Sequence, residues 1–185
     1  PLLRRHGLEF ISGWYSCPLL AGSAVEAFAG MQDHLELLAG MGCAVMVFAE
    51  GTGATHDNRA APASTRTLVP PGDWKAYGRA VTELAERMQE RGVRMAFHHH
   101  MGTPVQTADE IDRLMETTGE AVGLLLDTGH AHYAGVDPVA LADRHAPRIV
   151  HVHCKDIRQY RLDAALARRS SFLDAVIDGV FTMPG

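Results

Sequence analysis

Five short apolar runs recur along the chain, and nearly every one closes on polar or ionisable residues. They are residues 8–15 (LEFISGWY), 43–50 (CAVMVFAE), 93–100 (VRMAFHHH), 122–127 (VGLLLD) and 149–156 (IVHVHCKD). Runs this continuous are expected of strands buried on both faces, the condition of a parallel sheet. Helix signals lie between them. Ser23-Ala24-Val25-Glu26 and Thr107-Ala108-Asp109-Glu110 have the form of a capping box. Asp73 stands ahead of the apolar stripe Trp74, Tyr77, Val81, Leu84 and Met88, and Asp137-Pro138 reads as an N-cap with proline at the first helical position. A single last helix is expected to carry Leu166, Phe172, Leu173, Val176 and Ile177. Residues 51–72 form a long polar loop, and a loop of that length is either a binding element or a plain surface insertion.

Strand alternating with helix implies repeated βα units. An open doubly wound sheet and a (β/α)₈ barrel share that pattern, and the polar residues separate them. Trp14, Glu50, His98 to His100, Asp127, and His153 with Lys155 and Asp156 stand at the C-terminal ends of successive strands. A barrel gathers all its strand ends around one site, whereas an open sheet uses only those near its switch point. The expectation is therefore an incomplete (β/α)₈ TIM barrel of about five units, against the eight strands and roughly 250 residues of a full one. Residues 1–185 are expected to be one partial domain, truncated at both ends, because residues 2–7 read as the last turn of a helix and the sequence stops in a turn. Unpaired apolar edges make a homo-oligomer an expectation for such a piece.

Composition narrows the classes. A formal charge of −5 argues against a general nucleic-acid binder, and no apolar run reaches the length of a membrane helix. Three scattered cysteines fit no disulfide framework and point to a reducing cytoplasm. No G-x-G-x-x-G or Walker-type loop supports nucleotide binding. Histidine is the unusual residue, with eleven in the chain and most of them between positions 98 and 153.

Side chains alternate along a strand, so His98 and His100 share a face with His99 opposed, and His151 and His153 share a face with Cys154 opposed. One or both of each pair, together with Asp127, form a mixed nitrogen and oxygen donor set suited to Mn²⁺, Co²⁺, Fe²⁺ or Zn²⁺. Glu50 is a candidate ligand, base or hydroxyl acceptor, or else a partner in a loop salt bridge. Trp14 is a candidate platform for a sugar-like ring, or a core residue. Lys155 is a candidate acid, base or electrostatic group, or else the surface partner of Asp156. His130 is a candidate for binding substrate or orienting a ligand.

Several ordered motifs resemble the myo-inosose-2 dehydratases of inositol catabolism, within the wider xylose-isomerase-like TIM-barrel superfamily. They are Ile11-Ser12-Gly13-Trp14-Tyr15-Ser16, Phe97-His98-His99-His100-Met101-Gly102-Thr103 with Val105-Gln106-Thr107, Leu124-Leu125-Leu126-Asp127-Thr128-Gly129-His130, His151-Val152-His153-Cys154-Lys155-Asp156, and residues 179–185 (GVFTMPG). The resemblance implies that the five strands are the third to seventh of a barrel. It implies a divalent metal, Mn²⁺ or Co²⁺, held by Asp127 and His153, with His98 at the place of the usual glutamate and His100 as its alternative.

The activity so implied is a lyase that removes water from a small cyclic polyol ketone, 2-keto-myo-inositol, to give a trihydroxycyclohexane-dione. Metal ligands are then His98, Asp127 and His153. Substrate contacts fall to Trp14 and His100, and proton roles to Lys155, His130 and Glu50. The rivals are an epimerase or isomerase of the same superfamily and a non-catalytic sugar-binding module or inactive fragment.

Overall fold

The computed structural model describes residues 2–185. Its centre is one sheet of five parallel strands in chain order: β1 (Trp14–Cys17), β2 (Val45–Glu50), β3 (Arg94–His98), β4 (Val122–Asp127) and β5 (Ile149–His153). Each strand pairs with its neighbour in the chain, and each return passes through helix. The crossovers carry α2 (Ala24–Gly40), α3 (Trp74–Gln89), α4 (Ala108–Thr117), and the pair α5 (Thr128–Tyr133) and α6 (Pro138–His145); a short α1 (Leu2–Arg5) precedes β1. After β5 the chain makes β6 (Asp156–Ile157), α7 (Gln159–Ala167), α8 (Phe172–Ile177) and β7 (Phe181–Thr182), with β6 and β7 paired antiparallel.

Alternation sorts the strand residues into two layers. Met46, Phe48, Met95, Phe97, Leu124 and Leu126 pack with Leu35, Leu38, Val81, Leu84, Met88, Ile111 and Leu114 between sheet and helices. Val47, Ala96 and Leu125 form a smaller cluster on the other face, with Val45 and Val150 against it. A truncation in the first layer, such as Leu124→Ala, costs about 2–5 kcal/mol. Registers Val47↔Ala96, His98↔Leu125 and Asp127↔His153 carry the second face up to the strand ends. An irregularity of register between Leu124 and Leu125 opposite β5 brings His151 beside Leu125, so His151 and His153 both follow the inner face. Gly123 permits this packing, since a Cβ there would lie 2.3 Å from Val150.

The local signals acted mostly as their chemistry dictates. Ser23 Oγ accepts the Glu26 N–H at 3.2 Å, and Asp137 accepts from Val139 N–H at 2.9 Å with Pro138 opening α6. Glu110 Oε2 accepts from Thr107 N–H at 2.9 Å. Asp73 stands before α3 but its side chain makes no capping bond; only its carbonyl serves the helix, accepting from Tyr77 N–H.

Several boundaries differ from the sequence reading; the third strand ends at His98, so His99 and His100 lie just beyond it. The first strand begins at Trp14 and runs to Cys17, because pairing with β2 starts where Gly13 O accepts from Val47 N–H; residues 8–12 have no strand to join. The fifth strand stops at His153, and Asp156–Ile157 turns to pair with Phe181–Thr182. The single last helix is two helices, broken where Arg169 takes φ +52° and Ser171 caps α8 by accepting from Asp174 N–H.

Among the described residues the outer edges of β1 and β5 pair with no strand. Trp14 is 44% and Val152 45% exposed along them. Edges of this kind recruit other chains. Expressed as these 185 residues alone, the protein is expected to self-associate. Light scattering behind a sizing column checks this, and a monodisperse monomer would contradict it.

Candidate active site

Parallel strands bring all five C-terminal ends to one side of the sheet, and Asp127 ends the central cluster there. Its carboxylate is fully buried, and three groups converge on one oxygen. His98 Nε2 lies 3.4 Å and His153 Nδ1 3.3 Å from Oδ2, and the Lys155 ammonium is in direct contact with it. The other oxygen, Oδ1, accepts from His130 N–H at 3.0 Å and so caps α5, a short helix the sequence reading did not foresee. The residue that signals it is Asp127 itself, an N-cap type directly ahead of Thr128-Gly129-His130. Gly129 is needed where it stands, because a Cβ would come within 2.7 Å of Lys155 Cβ and 2.9 Å of the Phe181 ring. Burial alone would raise the Asp127 carboxyl. The close approach of His153, His98 and the Lys155 ammonium outweighs it and holds the group far below the usual carboxylate range.

The imidazoles of His98, His99, His100 and His130 are held neutral, and the backbone sets their tautomers. His98 Nδ1 lies 3.0 Å from the His99 carbonyl and His100 Nδ1 2.7 Å from the Met101 carbonyl, so in each ring Nδ1 carries the proton and Nε2 keeps a lone pair. Burial lowers the pKa of His98, and burial, with the neighbouring His98 ring second, lowers that of His100 to about 3. His99 points away as expected. Its Nε2 accepts from Asp127 N–H at 3.2 Å, and burial brings its pKa to about 3. His130 Nδ1 accepts from Met101 N–H at 3.1 Å, which places the proton on Nε2.

His98, Asp127 and His130 present donor atoms within 4.8 Å of one another and could hold a metal ion. The first two fit well. A lone pair on His98 Nε2 faces a carboxylate oxygen, and two acceptors opposed in this way need positive charge beside them, which Lys155 supplies and a divalent cation would supply more strongly. His130 fits less well, since its lone-pair nitrogen is already bonded to Met101 and its other nitrogen presents N–H. His153, which approaches the same oxygen from β5, has no such conflict.

The remaining candidates divide. Trp14 lies beside the histidines, its ring 5.2 Å from that of His98 and 5.8 Å from that of His100, and half exposed. The His100 ring is 3.9 Å from that of His130, and Phe172 of α8 covers both at 5.4 Å. Lys155 is not the partner of Asp156: it reaches back to Asp127, 31% exposed. Glu50 does not join the cluster. It has the parity of Met46 and Phe48, which face the helices. Its Oε2 accepts from Leu20 N–H at 3.0 Å and its Oε1 from Thr52 N–H at 2.8 Å. Both oxygens are committed to the main chain, and among the described residues Glu50 forms no salt bridge.

Sequence reasoning missed Arg66, midway along the long loop. Its guanidinium donates to the Thr103 carbonyl at 3.2 Å, to the Pro104 carbonyl at 3.1 Å and to Glu110 Oε1 at 2.7 Å, with its side chain only 8% exposed. The ion pair ties residues 51–72 to the turn that follows the triple histidine. A lone arginine in a polar loop carries no signal of its own; its partner Glu110, in a capping box, was visible.

Residues 2–181 match the xylose isomerase-like TIM barrel family. The chain belongs to that family. It is 50% identical over 184 residues to the rhizopine catabolism protein MocC of Rhizobium meliloti, covering 100% of this chain and 57% of that protein. It is 37% identical over 185 residues to an inosose dehydratase of Bacillus anthracis, covering 99% of this chain and 62% of that enzyme. The chain thus spans about 60% of the length of the curated relatives it matches. Among solved structures, the IOLI protein with a bound zinc atom superposes with a TM-score of 0.64 at 17% identity, covering 85% of this chain and 56% of that one, which shows the shared fold.

Glu110 carries the prediction for this region. Burial would raise its carboxyl, but backbone N–H groups of Gln106 and Thr107 and the Arg66 guanidinium hold it below its ordinary 4.5. A depressed acid stabilises fully above its unfolded pKa and loses that contribution as pH falls through the folded value. Glu110→Gln is expected to cost about 1.5–3 kcal/mol at neutral pH. The gap to the wild type should close as the pH drops below 4.5. Thermal unfolding across a pH series checks both the size and the sign.

Proposed function

We propose that this chain supplies the strand-end site of a metal-assisted hydro-lyase. The substrate in this reading is a cyclic polyhydroxy ketone, 2-keto-myo-inositol, which loses water to give a trihydroxycyclohexane-1,2-dione. One observation carries it: His98, His153 and Lys155 converge on a single oxygen of the buried Asp127. The 37% identity to an inosose dehydratase over nearly the whole chain supports the substrate class.

His98, Asp127 and His153 would hold the ion, and the mixed nitrogen and oxygen set suits Mn²⁺ or Co²⁺. When bound, the ion supplies Lewis-acid stabilisation of negative charge on the ketone oxygen. Trp14 offers an apolar ring face at the open side of the cluster, against which the carbon face of the substrate lies. His100 keeps an Nε2 lone pair for a substrate hydroxyl. Lys155 holds a proton beside the cluster while partly open to solvent, and His130 presents an Nε2–H from a ring fixed by Met101. Lys155, once its proton has passed to solvent, would take the proton from the carbon next to the ketone and give it to the departing hydroxyl, while His130 Nε2–H hydrogen-bonds that hydroxyl, so that one C–H and one C–O bond break and water leaves. Glu50 takes no proton role in this reading, because both its oxygens are bonded to backbone N–H groups.

The full-length protein should convert 2-keto-myo-inositol to the dione and stop doing so after exhaustive chelation. Asp127→Asn and His153→Ala should each lose Mn²⁺ or Co²⁺ in elemental analysis. Lys155→Ala or His130→Ala should lower kcat by about 10²- to 10⁴-fold if that residue carries the proton. An enzyme that keeps full activity when stripped of metal would refute the proposal. A product mixture containing only an epimer would place the protein with the epimerases of the fold.

A further inference from the structure

Six buried side-chain polar atoms find no hydrogen-bond partner among the described residues, and three of them fall within five consecutive positions: Thr52 Oγ1, Thr55 Oγ1 and His56 Nδ1. The other three belong to His34, Tyr77 and His99 and are scattered. His34 lies against Tyr15 in the helix layer, and Tyr77 is fully in the core. A buried polar group without a partner is costly, and a run of them at one place calls for an occupant that supplies the bonds.

The segment borders the site. The His56 ring meets the His100 ring edge-on at 5.0 Å, and His100 in turn packs on His98 and His130. Its main chain is fixed at several points. Thr52 N–H is bonded to Glu50, and Thr55 N–H donates to the Gly102 carbonyl at 2.8 Å. Gly102, at φ +79°, leaves room for this approach, because a Cβ there would lie 2.8 Å from His56 N and 3.1 Å from Thr55 Oγ1. Arg66 clamps the same loop to Thr103, Pro104 and Glu110. Backbone bonds thus hold the loop while these side-chain polar atoms are left without partners.

We infer that Thr55 and His56 form a hydroxyl-reading shelf beside His100, where a polyhydroxylated ring places hydroxyls remote from the reacting carbons. A threonine hydroxyl and an imidazole each donate or accept, which matches the dual character of an alcohol. The shelf selects among polyols by the pattern of their hydroxyls and leaves the chemistry to Asp127 and its neighbours. This rests on reading the site as one for a cyclic polyhydroxy ketone.

The test uses the full-length protein loaded with Mn²⁺, 2-keto-myo-inositol, and its mono-deoxy analogues, each lacking one ring hydroxyl. Binding is measured by calorimetry and turnover by product formation, for the wild type, Thr55→Val and His56→Phe. A site built to bond a hydroxyl rejects the analogue without it. The wild type should therefore bind at least one deoxy analogue about tenfold more weakly, the scale of one hydrogen bond. Each variant should lose that discrimination at one ring position and keep it at the others. KM should rise with kcat and metal content little changed. A loop of merely structural importance would weaken all ligands alike, and that result, or unchanged discrimination in both variants, overturns the shelf. A wild type that neither binds nor turns over the inosose overturns the substrate reading and the shelf with it. Failure of the shelf alone shows as intact turnover with unaltered discrimination.

Discussion

A carboxylate without solvent contact at the end of β4 is the constraint to which the surrounding structure answers. An isolated buried charge is prohibitive, so the fold must bring compensation to Asp127 from several directions. The central strand β3 brings His98, the fifth strand brings His153, the segment after it brings Lys155, and the start of α5 turns the His130 N–H toward the other oxygen. Gly129 follows from the same demand, since any side chain there would push Lys155 away. Lys155 and His153 are the members partly open to solvent, each with 31% of its side chain exposed.

The histidines play distinct parts although they lie within a few ångströms of one another. Position on the strand decides orientation, and the nearest backbone group decides the proton. His98 and His100 bond to carbonyls and keep open lone pairs, His130 bonds to an N–H and presents a proton, and His99 supports the main chain of the next strand. A run of three identical residues thus yields two rings facing the site and one behind it.

Much of this was legible in the sequence, and the reasons for the rest are physical. The βα order follows from apolar runs and caps, and strand periodicity places His98, Asp127 and His153 on one face. That period fails where the strand does. Glu50 looked equivalent to Asp127 as the last residue of a strand, but it falls on the other parity, and only the inner residues Val45 and Val47 reveal it. Lys155 lies beyond the end of β5, where alternation no longer governs, and its partner became visible only once β4 and β5 were side by side. The break at Arg169 and the reach of Arg66 depend on tertiary contacts that no local pattern encodes.

The sequential order of the sheet bears on how the chain folds. Every strand hydrogen-bonds to the one made just before it, so each pairing closes only one βα unit of chain. During synthesis β1 to β4 can assemble in order while Asp127 still waits for the groups that neutralise it, since His153 and Lys155 are the last to emerge. Until β5 docks, the end of β4 holds an uncompensated charge and stays wet and loose. Closure of the electrostatic cluster is then also the step that seats the fifth strand.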